Sequence, residues 1–427
     1  MIDIKKIREN PLAIQEALAK RNVIIDFTEL LNWDSERRIL ITKADQKKND
    51  RNITSKRIPF LKKQGVDVSE EVNRMKLIGT EIDDLNSRIK ELEIKIKNTL
   101  DYLPNLPAEG VLPGGKENNV VLHQWGNKPK FDFEAKSHIE ICKNLHLVDY
   151  ERGIKLSGEG SWIYTGLGAQ LEWSLLNFFI KEHLKDGYTF LLPPHMLNYQ
   201  CGYVAGQFPK YVEEDYWIDG SPSENSKFLL PTAETALVNY HRDEVLSQED
   251  LPKKYFAYTP CFRREAGSSR IEERGMVRGH QFNKVEMVHF AHPDNSENSF
   301  KELCEKAESL VQKLGLHYQV SKLAADDCAF SMSKTYDVEV WIPSMNIYKE
   351  VSSASHGYDY QARRGNIRFK NSDGKSQYVH TLNASGLATS RVIPAILEQF
   401  QNEDGSVSIP EVLQNDMGTD IIRPLKV

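Results

Sequence analysis

Residues 258–287 read YTPCFRREAGSSRIEERGMVRGHQFNKVEM, with alternating, strand-like ends around a polar middle. The spacing predicts an antiparallel pair, with short extended runs around Phe262 and Val285 joined by a long connection. Side chains alternate along a strand, so Arg263 and Glu265 share one face, and Phe282, Lys284 and Glu286 share another. Arg264 turns the other way, towards the surface. The connection adds Arg270, Arg274 and Arg278 against Glu272 and Glu273. One pleated surface therefore offers a fixed cation, two carboxylates and an aromatic ring.

A guanidinium grips phosphate or carboxylate oxygens in pairs, a ring stacks on a flat base, and an enclosed carboxylate holds an ammonium. An amino acid lying beside ATP uses all three. A hairpin whose charges were merely solvated would have no use for Phe-Arg-x-Glu followed by His-Gln-Phe. The stretch resembles motif 2 of class II aminoacyl-tRNA synthetases, in the form carried by seryl-tRNA synthetases. Similar too are PTAE (Pro231–Glu234), EVSS (Glu350–Ser353), DYQARR (Asp359–Arg364) and TLNASGLATSR (Thr381–Arg391). Each tetrapeptide alone is weak; their order and separation carry the resemblance, which covers essentially the whole chain.

The 427 residues suffice for one large core plus a second unit. No apolar run reaches membrane length, and MIDIKKIREN lacks the apolar core of a signal peptide, so a cytoplasmic protein with no membrane partner is expected. The five cysteines are scattered and never spaced C-x-x-C, which argues against a disulfide framework and against a cysteine zinc site; no zinc is expected. The net charge of -6 gives no hint of nucleic acid. Its distribution does, because Asp34 to Lys63 holds ten Lys or Arg against four Asp or Glu.

From Phe27 to about Ile58 the pattern is helical, and Pro59 and Gly65 are expected to break it. Val68, Val72, Met75, Ile78, Ile82, Leu85, Ile89, Leu92 and Ile96 then recur at steps of three and four, the most regular stripe in the chain. Leu30, Trp33, Leu40 and Ala44 give the first helix a poorer matching stripe, which Arg37 and Lys47 interrupt. The expected fold class is thus α+β, an N-terminal antiparallel coiled-coil hairpin followed by an antiparallel β-sheet flanked by helices. Pro104, Pro107, Pro113 and Gly114-Gly115 mark a linker over residues 104–120, between an N-terminal domain (1–103, with its arm at about 27–99) and a second domain (121–427).

The resemblance implies more. The arm grips serine-accepting tRNA, and Arg37, Arg38, Lys43, Lys47, Lys48 and Arg51 are its expected contacts. Motif 1 spans about 170–197, with Pro193 or Pro194 as its proline, and builds a homodimer across which tRNA binds. Motif 2 spans about 258–287 and motif 3 about 381–400. The implied reaction joins L-serine to tRNA(Ser), and to tRNA(Sec) where that exists, through seryl-adenylate made from ATP with Mg²⁺. Arg263, Glu286 and Arg391 carry catalysis. The serine pocket comprises Thr232, Ala233, Glu234, Arg263, Glu286, Asn383 and Ser385. ATP meets Arg263, Arg264, Glu265, Arg274, Gly279, Phe282, Glu350, Val351, Ser352, Ser353 and Arg391, with Glu350 and Ser353 holding the magnesium. Gly279 departs from the family pattern, which usually has an apolar side chain beside the base. The alternative is a paralogue that charges a carrier protein or serves a non-catalytic regulatory role. The basic hairpin speaks against the first, and the presence of Arg263, Glu350 and Arg391 against the second.

Overall fold

The computed structural model describes residues 1–218, 220–265 and 275–424, which divide into two compact units. The first comprises residues 2–16 and 23–103, and its long helices are Thr28–Lys63 (α1) and Ser69–Asp101 (α2). The stripe read from the sequence faces inward: Ile78, Ile82, Leu92 and Ile96 of α2 are buried, as are Leu30 and Ala44 of α1. Arg37 and Lys47, which interrupt the stripe, are accommodated by ion pairs to Glu93 and Glu81 across the hairpin. Pro59 does not end α1, which runs on to Lys63. It lies in the last turns, where one lost hydrogen bond is borne by the rest of the helix. The break comes at Gly65, whose φ of 73° favours a residue without a side chain.

The second unit holds residues 1, 17–22 and 104–427. Residues 104–119 do not run free: Asn105 donates to the Phe330, Ser331 and Gly357 carbonyls, and Ala108 to that of Ser333. An eight-stranded sheet follows, built from Val120–Trp125 (β1), Thr189–Leu191 (β2), Lys253–Phe262 (β3), Gln281–Ala291 (β4), Tyr318–Lys322 (β5), Lys334–Ile342 (β6), Ile347–Tyr358 (β7) and His380–Ala388 (β8). Their order is β1-β5-β6-β7-β8-β4-β3-β2, antiparallel throughout except where β2 lies parallel to β3 at one edge. That parallel pair departs from the expected antiparallel sheet. The chain enters β2 from the helix Leu167–Lys185 (α3) rather than from a hairpin turn.

Alternation along β4 divides the sheet into two faces. Val285 and Met287 join the main core under α3, Ser296–Lys313 (α4) and Thr389–Gln399 (α5). Phe282, Lys284 and Glu286 point to the opposite face, and further along that face Val288 and Phe290 are covered by a second apolar cluster. The uncovered part of that face lies between the two cores. It is there that polar groups gather.

Candidate active site

The β3–β4 pair keeps register from Lys253↔Phe290 to Phe262↔Gln281, so Phe282, Lys284 and Glu286 rise in line on one surface. The pairing continues beyond β3, where the Arg263 amide donates to the His280 carbonyl at 2.9 Å. That contact sets Arg263 at the rim. Its guanidinium carbon lies 5.1 Å from the centre of the Phe282 ring, and its Nε donates to the Pro231 carbonyl at 3.3 Å.

Lys284 and Glu286 are both buried, with Nζ 2.5 Å from Oε2. Lys284 also donates to Thr232 Oγ1 at 2.8 Å, and Ser385, paired with Glu286 on β8, donates its hydroxyl to Glu286 Oε2 at 3.2 Å. Ser352 fixes the Ser385 backbone by donating to its carbonyl at 2.5 Å. Glu234 accepts from Gln361 Nε2 at 2.7 Å. Burial, and then the neighbouring Glu286 charge, push the Glu234 carboxyl up to about 7 against that hydrogen bond.

Arg391, near the start of α5, donates to the Glu350 carbonyl at 2.9 Å and lies 3.3 Å from Glu350 Oε2. Behind Glu350, Asp337 is buried on β6 opposite Ser353, and its Oδ1 has no hydrogen-bond partner among the described residues. Burial, and next the Glu350 charge, hold its carboxyl well above the usual range. A cation beside Glu350 and Ser353 would relieve that repulsion. Among the described residues no three His, Cys, Asp or Glu form a ready-made metal cage. The Glu350 carboxylate and Ser353 hydroxyl are hard oxygen donors of the kind magnesium takes, one or two carboxylates with water and phosphate oxygens completing its shell.

Two hollows meet at Arg263. The smaller, with about 520 Å³ of empty space, is lined by Arg263, Glu265, Gly279, Phe282, Glu350, Val351, Ser385 and Arg391 among others. The larger, about 1240 Å³, is reached past Thr232 and shares Arg263, Glu265 and Arg278 with the first. Glu286, Ala233, Asn383 and Ser352 are buried behind these walls, and Ser353 and Glu234 are half-buried. Arg264 lines neither hollow; its guanidinium donates to the Glu213 carbonyl and its amide to that of Glu214. Arg274 lies outside the described residues, as do Arg270, Glu272 and Glu273. Of the arm residues, Arg37, Arg38, Lys47 and Lys48 have acidic neighbours within 4 Å, whereas Lys43 and Arg51 have none among the described residues.

Gly279 has a local cause. A Cβ there would sit 2.2 Å from the Trp162 ring, so the indole fills the volume that a side chain at 279 would take. The sequence reading missed Trp162, Asp337, Gln361 and the ammonium of Lys284 as a partner for Glu286. For Lys284 a signal was present, since it stands two residues before Glu286 and so on the same face of the strand.

Residues 1–107 match the seryl-tRNA synthetase N-terminal domain family, and residues 216–400 match the tRNA synthetase class II core domain (G, H, P, S and T). A serine–tRNA ligase 2 of Clostridium acetobutylicum is 57% identical over 423 residues, covering 98% of this chain and 100% of its own. The serine–tRNA ligase of Caldicellulosiruptor bescii is 46% identical, over 99% of this chain and 100% of its own. Among solved structures, seryl-tRNA synthetase from Pyrococcus horikoshii complexed with ATP superposes with a TM-score of 0.91 at 32% identity, over 100% of both chains. The cytoplasmic serine–tRNA ligase of Naegleria fowleri, in complex with AMP, gives 0.87 at 28%, over 100% of this chain and 99% of that one.

Proposed function

The chain belongs to the seryl-tRNA synthetase family, and from that premise we propose how its residues carry out the reaction. The enzyme is an ATP-dependent ligase that attaches L-serine to tRNA(Ser) in two steps. The serine carboxylate attacks the α-phosphorus of ATP, pyrophosphate leaves, and seryl-adenylate forms. A ribose hydroxyl at the tRNA 3′ end then attacks the acyl carbon and AMP leaves. Neither step requires a covalent enzyme nucleophile; both are served by alignment and by charge placed where charge develops.

Arg263 spans the serine carboxylate and the α-phosphate, a role supported by its seat between Phe282 and Pro231. Phe282 takes one face of the adenine and Arg391 the other, and Glu265 lies at the adenine end. Glu286 accepts the serine ammonium and side-chain hydroxyl, with Thr232, Glu234, Asn383 and Ser385 closing the pocket. A pocket built around that hydroxyl leaves polar groups unpaired when alanine enters, a penalty worth about 10⁴-fold or more. Glu350 and Ser353 would hold a magnesium ion, which neutralises phosphate charge when bound. Arg274 is assigned to the γ-phosphate end from the motif alone.

The reading also divides the chain into a tRNA-binding unit (1–103), a linker (104–120) and a catalytic domain (121–427). It includes a homodimer formed through motif 1, supported by the exposed apolar side chains of Trp173, Leu184 and Leu192. It places the enzyme in the cytoplasm, where its tRNA is used. The observation that carries it is the buried Lys284–Glu286–Ser385 cluster beside Arg263. Pyrophosphate exchange across a panel of amino acids tests it: serine should drive exchange about 10⁴-fold better than alanine, whose missing hydroxyl leaves the pocket unpaired, and about 10- to 200-fold better than threonine, whose extra methyl must be excluded by shape. Exchange driven equally by another amino acid would refute it.

A further inference from the structure

The larger hollow has features that the activation step does not use. Asp215, 3% exposed, lines it, and no hydrogen bond reaches the Asp215 carboxylate among the described residues. The turn that carries Asp215 is firmly held. Arg264 donates to the Glu213 and Glu214 carbonyls, the Glu214 amide donates to the Tyr211 carbonyl, and Trp217 Nε1 donates to Val212. On the same hollow Tyr211 and Phe330 meet edge to face with ring centres 6.3 Å apart. The exposed Lys210 ammonium lies 5.2 Å from one ring centre and 4.9 Å from the other.

We infer that Asp215 is a substrate-contacting residue of the transfer step, accepting a hydrogen bond from a ribose hydroxyl of the tRNA's terminal nucleotide, whose base lies against Tyr211 and Phe330. The inference rests on the two-step reaction proposed above. In the first step ATP fills the smaller hollow, so the second nucleophile reaches the acyl carbon from the other side of Arg263. The larger hollow opens on that side and borders Thr232 of the serine pocket. A buried carboxylate repels a triphosphate but accepts from a sugar hydroxyl, so the hollow favours the ribose end of an RNA over a second nucleotide triphosphate. Aromatic faces with an adjacent cation suit a base and its phosphate.

The groups facing Asp215 are Arg263 and Glu214, with Glu265, Arg278 and Tyr211 on the same hollow. Burial pushes the Asp215 carboxyl up to about 7, with Arg263 opposing and Glu214 adding to the rise. The ionised form is the acceptor, so transfer should strengthen as pH climbs through about 7.

The test uses the full chain, unmodified and as Asp215→Asn and Tyr211→Ala. Serine-dependent pyrophosphate exchange is measured beside single-turnover transfer from preformed seryl-adenylate to tRNA, across neutral pH. For Asp215→Asn, exchange stays within about twofold while transfer falls about 30-fold and loses its rise with pH. For Tyr211→Ala, the KM for tRNA increases about tenfold with exchange retained. Exchange and transfer falling together in Asp215→Asn would overturn the inference, as would transfer that keeps its rate and pH profile. Absence of serine-dependent exchange in the unmodified protein would instead overturn the parent reading, and this one with it.

Discussion

Lys284 and Glu286, two residues apart on β4, hold an ammonium nitrogen 2.5 Å from a carboxylate oxygen in the floor of the site. Both side chains are nearly inaccessible, at 9% and 2% exposure. The protein thus makes within its own chain the kind of contact that a bound amino acid offers. Removing the lysine alone leaves a buried charge without its partner. Lys284→Met should therefore destabilise the catalytic unit by about 3–5 kcal/mol. Serine should recover part of that loss, because its ammonium can take the vacated place. Thermal melting with and without serine checks this; a serine-induced shift no larger than in the unmodified protein would count against it.

Glu286→Gln should reduce serine-dependent exchange by about 10³-fold or more while ATP affinity changes only a few-fold. Glu234 adds a pH signature. Its carboxyl is held at about 7, and only the ionised form attracts an ammonium, so kcat/KM for serine in exchange should rise with pH through about 7. Glu234→Gln should flatten that rise. The sign for stability is opposite. Between the ordinary carboxylate range and about 7, the folded chain keeps a proton that the unfolded chain has lost, so stability falls as pH rises there.

Of the six expected tRNA contacts on the arm, Lys43 and Arg51 are the two without an acidic neighbour among the described residues, and both are exposed. Reversing either to Glu should weaken tRNA binding about tenfold and lower the slope of log affinity against log salt by about one. Exchange, which uses no tRNA, should be unchanged. Lys47→Glu should disturb the hairpin as well, since Lys47 pairs with Glu81 at 2.5 Å. Binding titrations at several salt concentrations separate these outcomes.

Asp337 stands behind Ser353 with one oxygen unpaired among the described residues. Asp337→Asn should raise the magnesium concentration for half-maximal exchange by about 10- to 100-fold. Chelation by EDTA should abolish exchange in both proteins, with magnesium restoring it. An unchanged magnesium requirement would separate Asp337 from the metal.

The hairpin at the centre of the site was legible because a strand period of two leaves little choice of face: Phe282, Lys284 and Glu286 had to rise together. The coiled-coil stripe was legible for the matching reason at steps of three and four. Other features depend on which strands become neighbours. Ser385 meets Glu286, and Asp337 meets Ser353, only through pairings between distant segments. Gln361 reaches Glu234 across 127 positions. Local pattern carries no trace of such meetings. Pro59 misled because a proline near a helix end removes little, and the parallel edge strand Thr189–Leu191 was too short to show a preference.

Trp162 and Gly279 occupy one volume between them. A side chain at 279 would meet both the Trp162 ring at 2.2 Å and the Gly160 carbonyl oxygen at 2.8 Å, so a smaller partner at 162 clears only one of two obstacles, and trimming the indole leaves a void that the backbone still walls off. Variants of this chain should therefore keep residue 279 without a side chain whatever stands at 162, and the indole should resist trimming because only it can fill that wall of the nucleotide site.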